Sequence, residues 1–417
     1  MEIRIALVGI GGYGTGYVHE LLKALPERSV QLVACIDPVP ERCPVLPDLH
    51  RVGIPIYSSL EQFFSQDNAD LVVLSSPIHL HAPQTCLALT HGRNVLCEKP
   101  VCAVIQDARQ MADAELKAGK FVAVGYQLSY TTAIQHLKRD IAAGDFGSPK
   151  RLKTRILWPR KASYYQRNQW AGRIKSDSGD WVLDSPANNA MAHYLHNSLY
   201  VLGDTVSTSA RPISVQAELY RANPIENYDA AVLRVMTDKN VEVLFYGAHS
   251  VPEEAYPTFN FEFEGATIEY TAYNNSKLIA RFKDGRVRDY GDPSEPGSEW
   301  DKLWQCVGSI RTGEPVVCGI EAATAHTLCI NGAQESIEIQ AIPPEDVRIE
   351  PRGDGDTLTW IVGMQEAIIQ SYAAGCLPGE CSSFPWAKTG KIVELTRYNY
   401  FPSTKNSNIK ISNISRK

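Results

Sequence analysis

Residues 3 to 14 read Ile3-Arg4-Ile5-Ala6-Leu7-Val8-Gly9-Ile10-Gly11-Gly12-Tyr13-Gly14, and this stretch decides the fold. An apolar run that scarcely alternates enters G-x-G-x-x-G, and GTGYVHELLKAL (14 to 25) continues with helical periodicity. Strand, glycine turn and helix in that order form a dinucleotide cradle. Gly9, Gly11, Gly12 and Gly14 let the backbone turn tightly and approach a pyrophosphate, and Tyr13 sits among the N–H groups that open the helix. A second apolar run, QLVACI (31 to 36), ends in Asp37, 23 residues beyond Gly14. An acid at that place binds ribose hydroxyls and repels a 2′-phosphate, so NAD is favoured over NADP, a preference Arg42 would soften.

Outward from this cradle the alternation continues. IPIYSSLEQFF carries Ser58 and Glu61 at capping-box spacing, and DLVVLSS (70 to 76), NVLC (94 to 97) and FVAVG (121 to 125) follow with helical segments between them. Apolar strands without alternation are buried on both faces, which makes residues 1–126 a doubly wound α/β domain around a parallel sheet. After a helix at about 132 to 143, PISVQAELY, AAVLRVMT, VEVLFYGA, FNFEFE, ATIEYTAY and SKLIARF alternate with period 2. They predict an α+β domain over 127–340 with an open, mainly antiparallel sheet. Helical patterns return at about 299 to 312, 320 to 339 and 356 to 373, and residues 341–417 read as an extension with one helix and a polar, frayed tail.

The whole chain sets outer limits. Of its 417 residues 44% are apolar and 21% charged, enough for two or more packed cores. Acidic residues outnumber basic ones, 47 to 41. Nucleic acid is therefore not an expected partner, and a neutral carbohydrate is the natural substrate. Ten scattered cysteines, several inside apolar runs, suit a reducing cytoplasm; the close pair Cys376 and Cys381 has no matching pair or histidine nearby to make a zinc site. No metal is expected. No apolar run reaches the length of a membrane span, and the N-terminus reads as a first strand, not a signal.

Two further segments carry a resemblance. Pro77-Ile78-His79-Leu80-His81 leads through a helix to Gly92-Arg93-Asn94-Val95-Leu96-Cys97-Glu98-Lys99-Pro100. This resembles the glucose-fructose oxidoreductase / inositol dehydrogenase / rhizopine-catabolism (Gfo/Idh/MocA) family, whose pattern is P-x-x-x-H, a helix, then G-[KR]-[HN]-V-L-x-E-K-P. The resemblance implies that Lys99 lies beside the nicotinamide and the reacting carbon, with Glu98 orienting it or touching ribose. It also implies that Ser75, Ser76, Pro77, His81 and Gln127 complete the cofactor site. The chemistry is sound on its own terms. A lysine at the carboxyl end of a buried parallel strand stands at the ligand crevice and can stabilise alkoxide character, and desolvation lowers its pKa.

The family's second signature, G-G-x-L-x-D-x-G-x-H-x-x-D, is where this chain departs. It reads Gly179-Asp180-Trp181-Val182-Leu183-Asp184-Ser185-Pro186-Ala187-Asn188-Asn189-Ala190-Met191-Ala192-His193, running to Leu202-Gly203. Counting forward from Asp184 puts Asn188 at the histidine position, and counting back from Leu202-Gly203 puts His193 there, as if about five residues were inserted. On a helix of 100° per residue, Asn189, His193, His196 and Tyr200 fall within about 60° of one another. Residues 185 to 203 contain no Asp, Glu, Lys or Arg, so this stripe is expected to face a cavity. His193 is the expected base, with Asp184 its orienting partner or the alternative base. Asn189 and His196 join Tyr165, Trp170 and Arg173, from an aromatic loop resembling the family's W-R segment, as substrate contacts.

Together these features imply an NAD-dependent oxidoreductase moving hydride between nicotinamide and a secondary alcohol of a sugar, glycoside or polyol. Two alternatives stay open: an NAD-dependent enzyme that cleaves glycosides by oxidation, elimination and reduction, and a non-catalytic nucleotide-binding sensor. A sheet face left free to meet a second copy predicts a homodimer or homotetramer.

Overall fold

The computed structural model describes residues 2–24, 28–273, 276–353, 355–381 and 384–403. The polar tail expected beyond 403 lies outside them. The first sheet is built from β1 (Ile3–Val8), α1 (Gly14–Ala24), β2 (Val30–Ile36), α2 (Leu46–Arg51), β3 (Ile56–Tyr57), α3 (Leu60–Gln66), β4 (Leu71–Leu74), α4 (His81–Thr90), β5 (Asn94–Cys97), α5 (Ile105–Ala118) and β6 (Val122–Val124). Its order is β3-β2-β1-β4-β5-β6 and every pairing is parallel. This is the doubly wound arrangement that the unalternating runs imply. Its strand order reverses between β1 and β4, which places the ligand crevice at their carboxyl ends. One local expectation shifts by a residue. Ser59, not Ser58, caps α3 by accepting from the Gln62 N–H, while the Gln62 side chain reaches back to Ser58.

The chain continues through α6 (Thr132–Ala142), β7 (Pro149–Leu157), α7 (Ala162–Gln166), a π-helical turn at Pro186–Ala190 and α8 (Ala192–Tyr200). Then come β8 (Pro212–Arg221), β9 (Ala230–Thr237), β10 (Glu242–Ala248), β11 (Ala255–Phe263), β12 (Ala266–Thr271), β13 (Ile279–Phe282), β14 (Val287–Asp289), α9 (Asp301–Thr312), α10 (Ile320–Ser336) and β15 (Gln340–Ala341). The last elements are β16 (Val347–Pro351), β17 (Thr357–Ile361), α11 (Met364–Ala374), α12 (Pro378–Cys381) and β18 (Val393–Glu394). The second sheet has ten strands in the order β14-β13-β12-β11-β7-β10-β9-β8-β15, with β18 also on β8. It is mainly antiparallel, with β10 parallel to β7 and β15 parallel to β8. The periodicity above passes over β7, because Lys150 and Arg151 are adjacent and Lys153 is buried, so no clean apolar/polar alternation marks it.

Residues 356 to 373, expected as one helix, divide into β17 and α11. Thr357-Leu358-Thr359-Trp360-Ile361 is β-branched and aromatic and pairs with β16, and Gly363 then takes a left-handed φ of 77° that starts the helix. The helix at 320 ends at Ser336, three residues early, where Ile337 is already extended.

The larger correction concerns the second sheet's outer face. One face packs on α8 and α10 through residues such as Leu233, Val235 and Phe245. The alternate residues Tyr220, Val232, Leu244 and Tyr246 pack under Ile361, Met364, Ile368 and Leu377 of the chain's own C-terminal segment. Tyr246 donates to the carbonyls of Ser371 and Cys376, and Arg234 forks onto Glu380. The apolar part of that face is therefore covered, not free to receive a second copy. Cys376 and Cys381 are joined by a disulfide within this cover. Among the described residues no helix is long and apolar enough to cross a membrane.

Candidate active site

The glycine turn meets the chemistry of the cradle. Gly9 has a φ of 81°, and a Cβ there would stand 2.6 Å from the Ser75 carbonyl oxygen; one on Gly14 would strike the Gly9 carbonyl. These two glycines are required by the protein's own packing. Gly12 faces open space, a Cβ on Gly11 would only touch Arg42 at 3.8 Å, and the N–H groups of Gly11, Gly12 and Tyr13 donate to nothing among the described residues. Free donors at the mouth of a helix suit a diphosphate, so the residues present fit a dinucleotide. Asp37 ends β2 beside them, its carboxylate accepting from the N–H groups of Ile10 and Val39. Ser75, Ser76 and Pro77 follow β4, and Gln127 follows β6, all half-buried along the same carboxyl edge. His81 does not line the crevice. It is 1% exposed, with ring nitrogens 2.8 and 2.9 Å from the Pro100 and Ser76 carbonyls, and it ties the turn after β4 to the turn after β5.

β5 delivers Glu98 and Lys99 to that edge. Glu98 is buried against Gly125, where a Cβ would come within 2.8 Å of its carboxylate. It accepts from Tyr17 at 2.7 Å and pairs with Lys302, which is fully buried and also donates to Tyr13 at 3.0 Å. Burial works against this carboxylate, but Lys302, Tyr17 and Lys99 hold its pKa below the usual range. Lys302 comes from α9, and Trp300, just before that helix, meets the Tyr17 ring edge-on at 5.0 Å and the Tyr13 ring tilted at 6.0 Å. Neither Lys302 nor Tyr17 is visible in the sequence as a site residue. Lys302 is 204 positions from Glu98, and no motif marks it.

Lys99 Nζ donates to both the backbone oxygen and Oδ1 of Asn189, each at 2.8 Å. Asn189 Nδ2 donates in turn to Asp184 Oδ1 at 2.7 Å, and Asp184 Oδ2 accepts from the Gly172 N–H at 2.6 Å. Asp184, Asn189 and Lys99 thus form one hydrogen-bonded line. Burial lowers the Lys99 pKa to about 8 although Glu98 opposes the shift. Asp184 is raised by burial, with Arg167, Gly172 and Asn189 resisting.

His193 is half-buried at the start of α8. Its Nδ1 is buried without a partner, and burial, then the Lys99 and Lys302 charges, hold the ring's pKa well below 6.5, so the ring is neutral. His196 goes elsewhere: it is fully buried, stacked 3.8 Å from Tyr126, with Cys318 Sγ 3.7 Å from Nε2. The expected stripe is split because Pro186–Ala190 makes a π-helical turn and Met191 leaves helical geometry at φ −107°, so counting 100° per residue from Asn189 does not carry into α8. Asn188, the other position counted for the histidine, is buried and donates to the Val182 and Leu183 carbonyls.

In the aromatic loop, Tyr165 and Trp170 are half-buried, and the Tyr165 hydroxyl is unpartnered. Arg173 is committed to Asp177 at 2.5 Å and Glu226 at 3.2 Å, so it faces the loop's own acids. Arg167, six residues earlier, is the arginine that approaches Asp184, at 3.7 Å.

Residues 3–126 match the model of an oxidoreductase family described by its NAD-binding Rossmann fold. Inositol 2-dehydrogenase of Klebsiella pneumoniae is 26% identical over 205 residues, 49% of this chain and 56% of that protein. The chain thus matches little more than half the length of this curated relative. Among solved structures, the WlbA dehydrogenase of Bordetella pertussis, in complex with NADH and UDP-GlcNAcA, superposes with a TM-score of 0.65 at 21% identity, over 81% of this chain and 98% of that one. A levoglucosan dehydrogenase in complex with NADH gives 0.67 at 17% identity, over 80% and 96%. At these identities the structural likeness is one of fold.

Proposed function

We propose, from the match of residues 3–126 to an NAD-binding oxidoreductase family, that the chain is a member of the Gfo/Idh/MocA family and an NAD-dependent dehydrogenase acting on a secondary alcohol of a sugar, glycoside or polyol. The observation that carries this reading is the line Asp184–Asn189–Lys99, which aims a lysine of lowered proton affinity across the carboxyl edge of the first sheet, with a neutral histidine on the next helix.

NAD, when bound, supplies the hydride acceptor. The N–H groups of Gly11, Gly12 and Tyr13 would hold its diphosphate, and Asp37 its ribose. The Lys99 ammonium donates to the substrate oxygen and stabilises it as negative charge develops, a role that needs the group pre-aimed, which the two Asn189 oxygens accomplish. His193, neutral and without a partner at Nδ1, takes the hydroxyl proton. Asp184 holds the Asn189 amide and thereby the lysine, one residue removed from the reacting atoms.

The test is NADH formation over a panel of sugars and polyols. Lys99→Ala is expected to lower turnover by at least a thousand-fold while NAD still binds, and His193→Ala by ten- to a thousand-fold. Near-normal turnover in Lys99→Ala would sink the mechanism. If Asp184→Asn proves more damaging than His193→Ala, the proton goes to the aspartate.

A further inference from the structure

Two guanidinium groups flank one aromatic ring on the loop after β7. The carbon of Arg160 lies 5.1 Å and that of Arg167 3.8 Å from the Tyr164 centroid, and Arg160 also lies 5.5 Å from the Trp158 centroid. Arg167 lies 3.7 Å from Asp184, which holds Asn189 and through it Lys99, and Arg160 shares the Tyr164 ring with Arg167. The pair therefore belongs to the same cleft as the reacting lysine.

The charges there do not balance. Lys99 and Arg167 share one carboxylate, Asp184, whose two oxygens already accept from Gly172 and Asn189, and Arg160 stands beside Arg167 with no acid of its own. Glu98 is committed to Lys302, and Asp229 to the N–H groups of Ala222 and Asn223. No acid among the described residues lies within ion-pair distance of Arg160, and its Nε is buried and donates to nothing. A guanidinium partly withdrawn from water without a counter-ion is costly, and its planar fork matches two oxygens of a carboxylate or phosphate. The Tyr164 hydroxyl takes one Arg160 N–H, and the aromatic faces of Tyr164 and Trp158 add attraction, but neither supplies a negative charge or an acceptor for Nε. The imbalance is local and opposite in sign to the chain's net charge of −6.

Resting on the dehydrogenase reading above, we propose that the substrate is an acidic sugar or polyol whose oxyanion, a carboxylate or a phosphate, is received by Arg160 with Arg167 while Lys99 engages the hydroxyl to be oxidised. The neutral carbohydrate suggested by overall composition is replaced by an anionic one. Arg160 is then the residue that sets specificity, since Arg167 is shared with Asp184.

Calorimetric binding to the NAD-loaded protein tests this with matched series: glucose, glucuronate and glucose 6-phosphate, and the corresponding galactose and mannose compounds. NADH formation is followed separately by absorbance. At least one acidic member is expected to bind ten-fold or more tightly than its neutral counterpart, and the uronate and phosphate arms identify which oxyanion is taken. Arg160→Gln should remove that advantage and Arg160→Lys restore only part of it, with NAD affinity as the check on folding. Neutral sugars binding as tightly as their acidic counterparts in all three series overturn the proposal, as does an acid preference that survives in Arg160→Gln. Acid-selective binding without NADH formation instead overturns the dehydrogenase reading and leaves the anion site standing.

Discussion

Lys99 shows how much of a catalytic residue's behaviour is written by its neighbours. Its position at the end of β5 follows from the apolar run before it, but its proton affinity is set by burial against the opposing pull of Glu98, and its aim by Asn189, ninety positions away. With a pKa of about 8, Lys99 is the ammonium below that pH and the free amine above it. If the ammonium stabilises the substrate oxygen, kcat/KM falls above pH about 8; a rate that instead rises through pH 8 would make the amine the base. Asn189→Ala removes an acceptor that favours the charged form, so the limb should move to lower pH, and kcat should fall about ten-fold or more as the amine loses its aim. A pH–rate profile of both proteins reads this directly. The neighbouring lesson is Arg173, whose place in a loop rich in tyrosine and tryptophan suggested substrate contact, while Asp177 and Glu226, close in space, claim it.

At the scale of elements, local propensity served well wherever one element's neighbours agreed with it. β1, α1 and the glycine turn form as their periodicity implies, and α9 occupies 301–312 as expected from 299 to 312. Propensity misleads at the joints. The π-helical turn at Pro186–Ala190 rotates α8 relative to the residues before it, so Asn189 and His193 reach the cleft while His196 enters the core. No count along the sequence contains that rotation. α9 carries a second contribution that propensity cannot show, because Lys302 crosses from it to Glu98 and ties α9 to the first sheet. Lys302→Met leaves Glu98 buried without its partner and should cost about 3–5 kcal/mol of stability. Denaturant melts measure this loss. Because Lys302 also holds Tyr13 in the glycine turn, weaker NAD binding is expected in the same variant.

The molecule as a whole is held by cores that include several neutral histidines. His193 and His196 are held well below 6.5, His326 at about 4 and His249 at about 3, each chiefly by burial. The unfolded chain protonates these rings near pH 6.5, whereas the native state does not. It therefore binds more protons than the native state as pH falls from about 6.5 toward 4, and stability falls over that window. Each such histidine contributes about 1.4 kcal/mol per pH unit. Urea melts at pH 7.5 and 5.5 should show the loss, and equal stability at the two values would contradict the buried neutral rings. The same scale accounts for the covered sheet. Val232 and Tyr246 are covered by the chain's own α11, whose Ser371 carbonyl takes the Tyr246 hydroxyl that burial removes from water.

The unalternating strands, the glycine turn and Glu98-Lys99-Pro100 are properties of contiguous residues, so the sequence alone determined the nucleotide domain, the crevice and the lysine that stands in it. Short-range periodicity encodes what lies on two faces of one element. Which histidine reaches the cleft, which arginine remains without an acid, what pairs with Glu98 and what covers the second sheet depend on elements far apart in the chain. Those were decided only by the tertiary structure, because burial and charge pairing act through space over a few ångströms, a distance that sequence separation does not record.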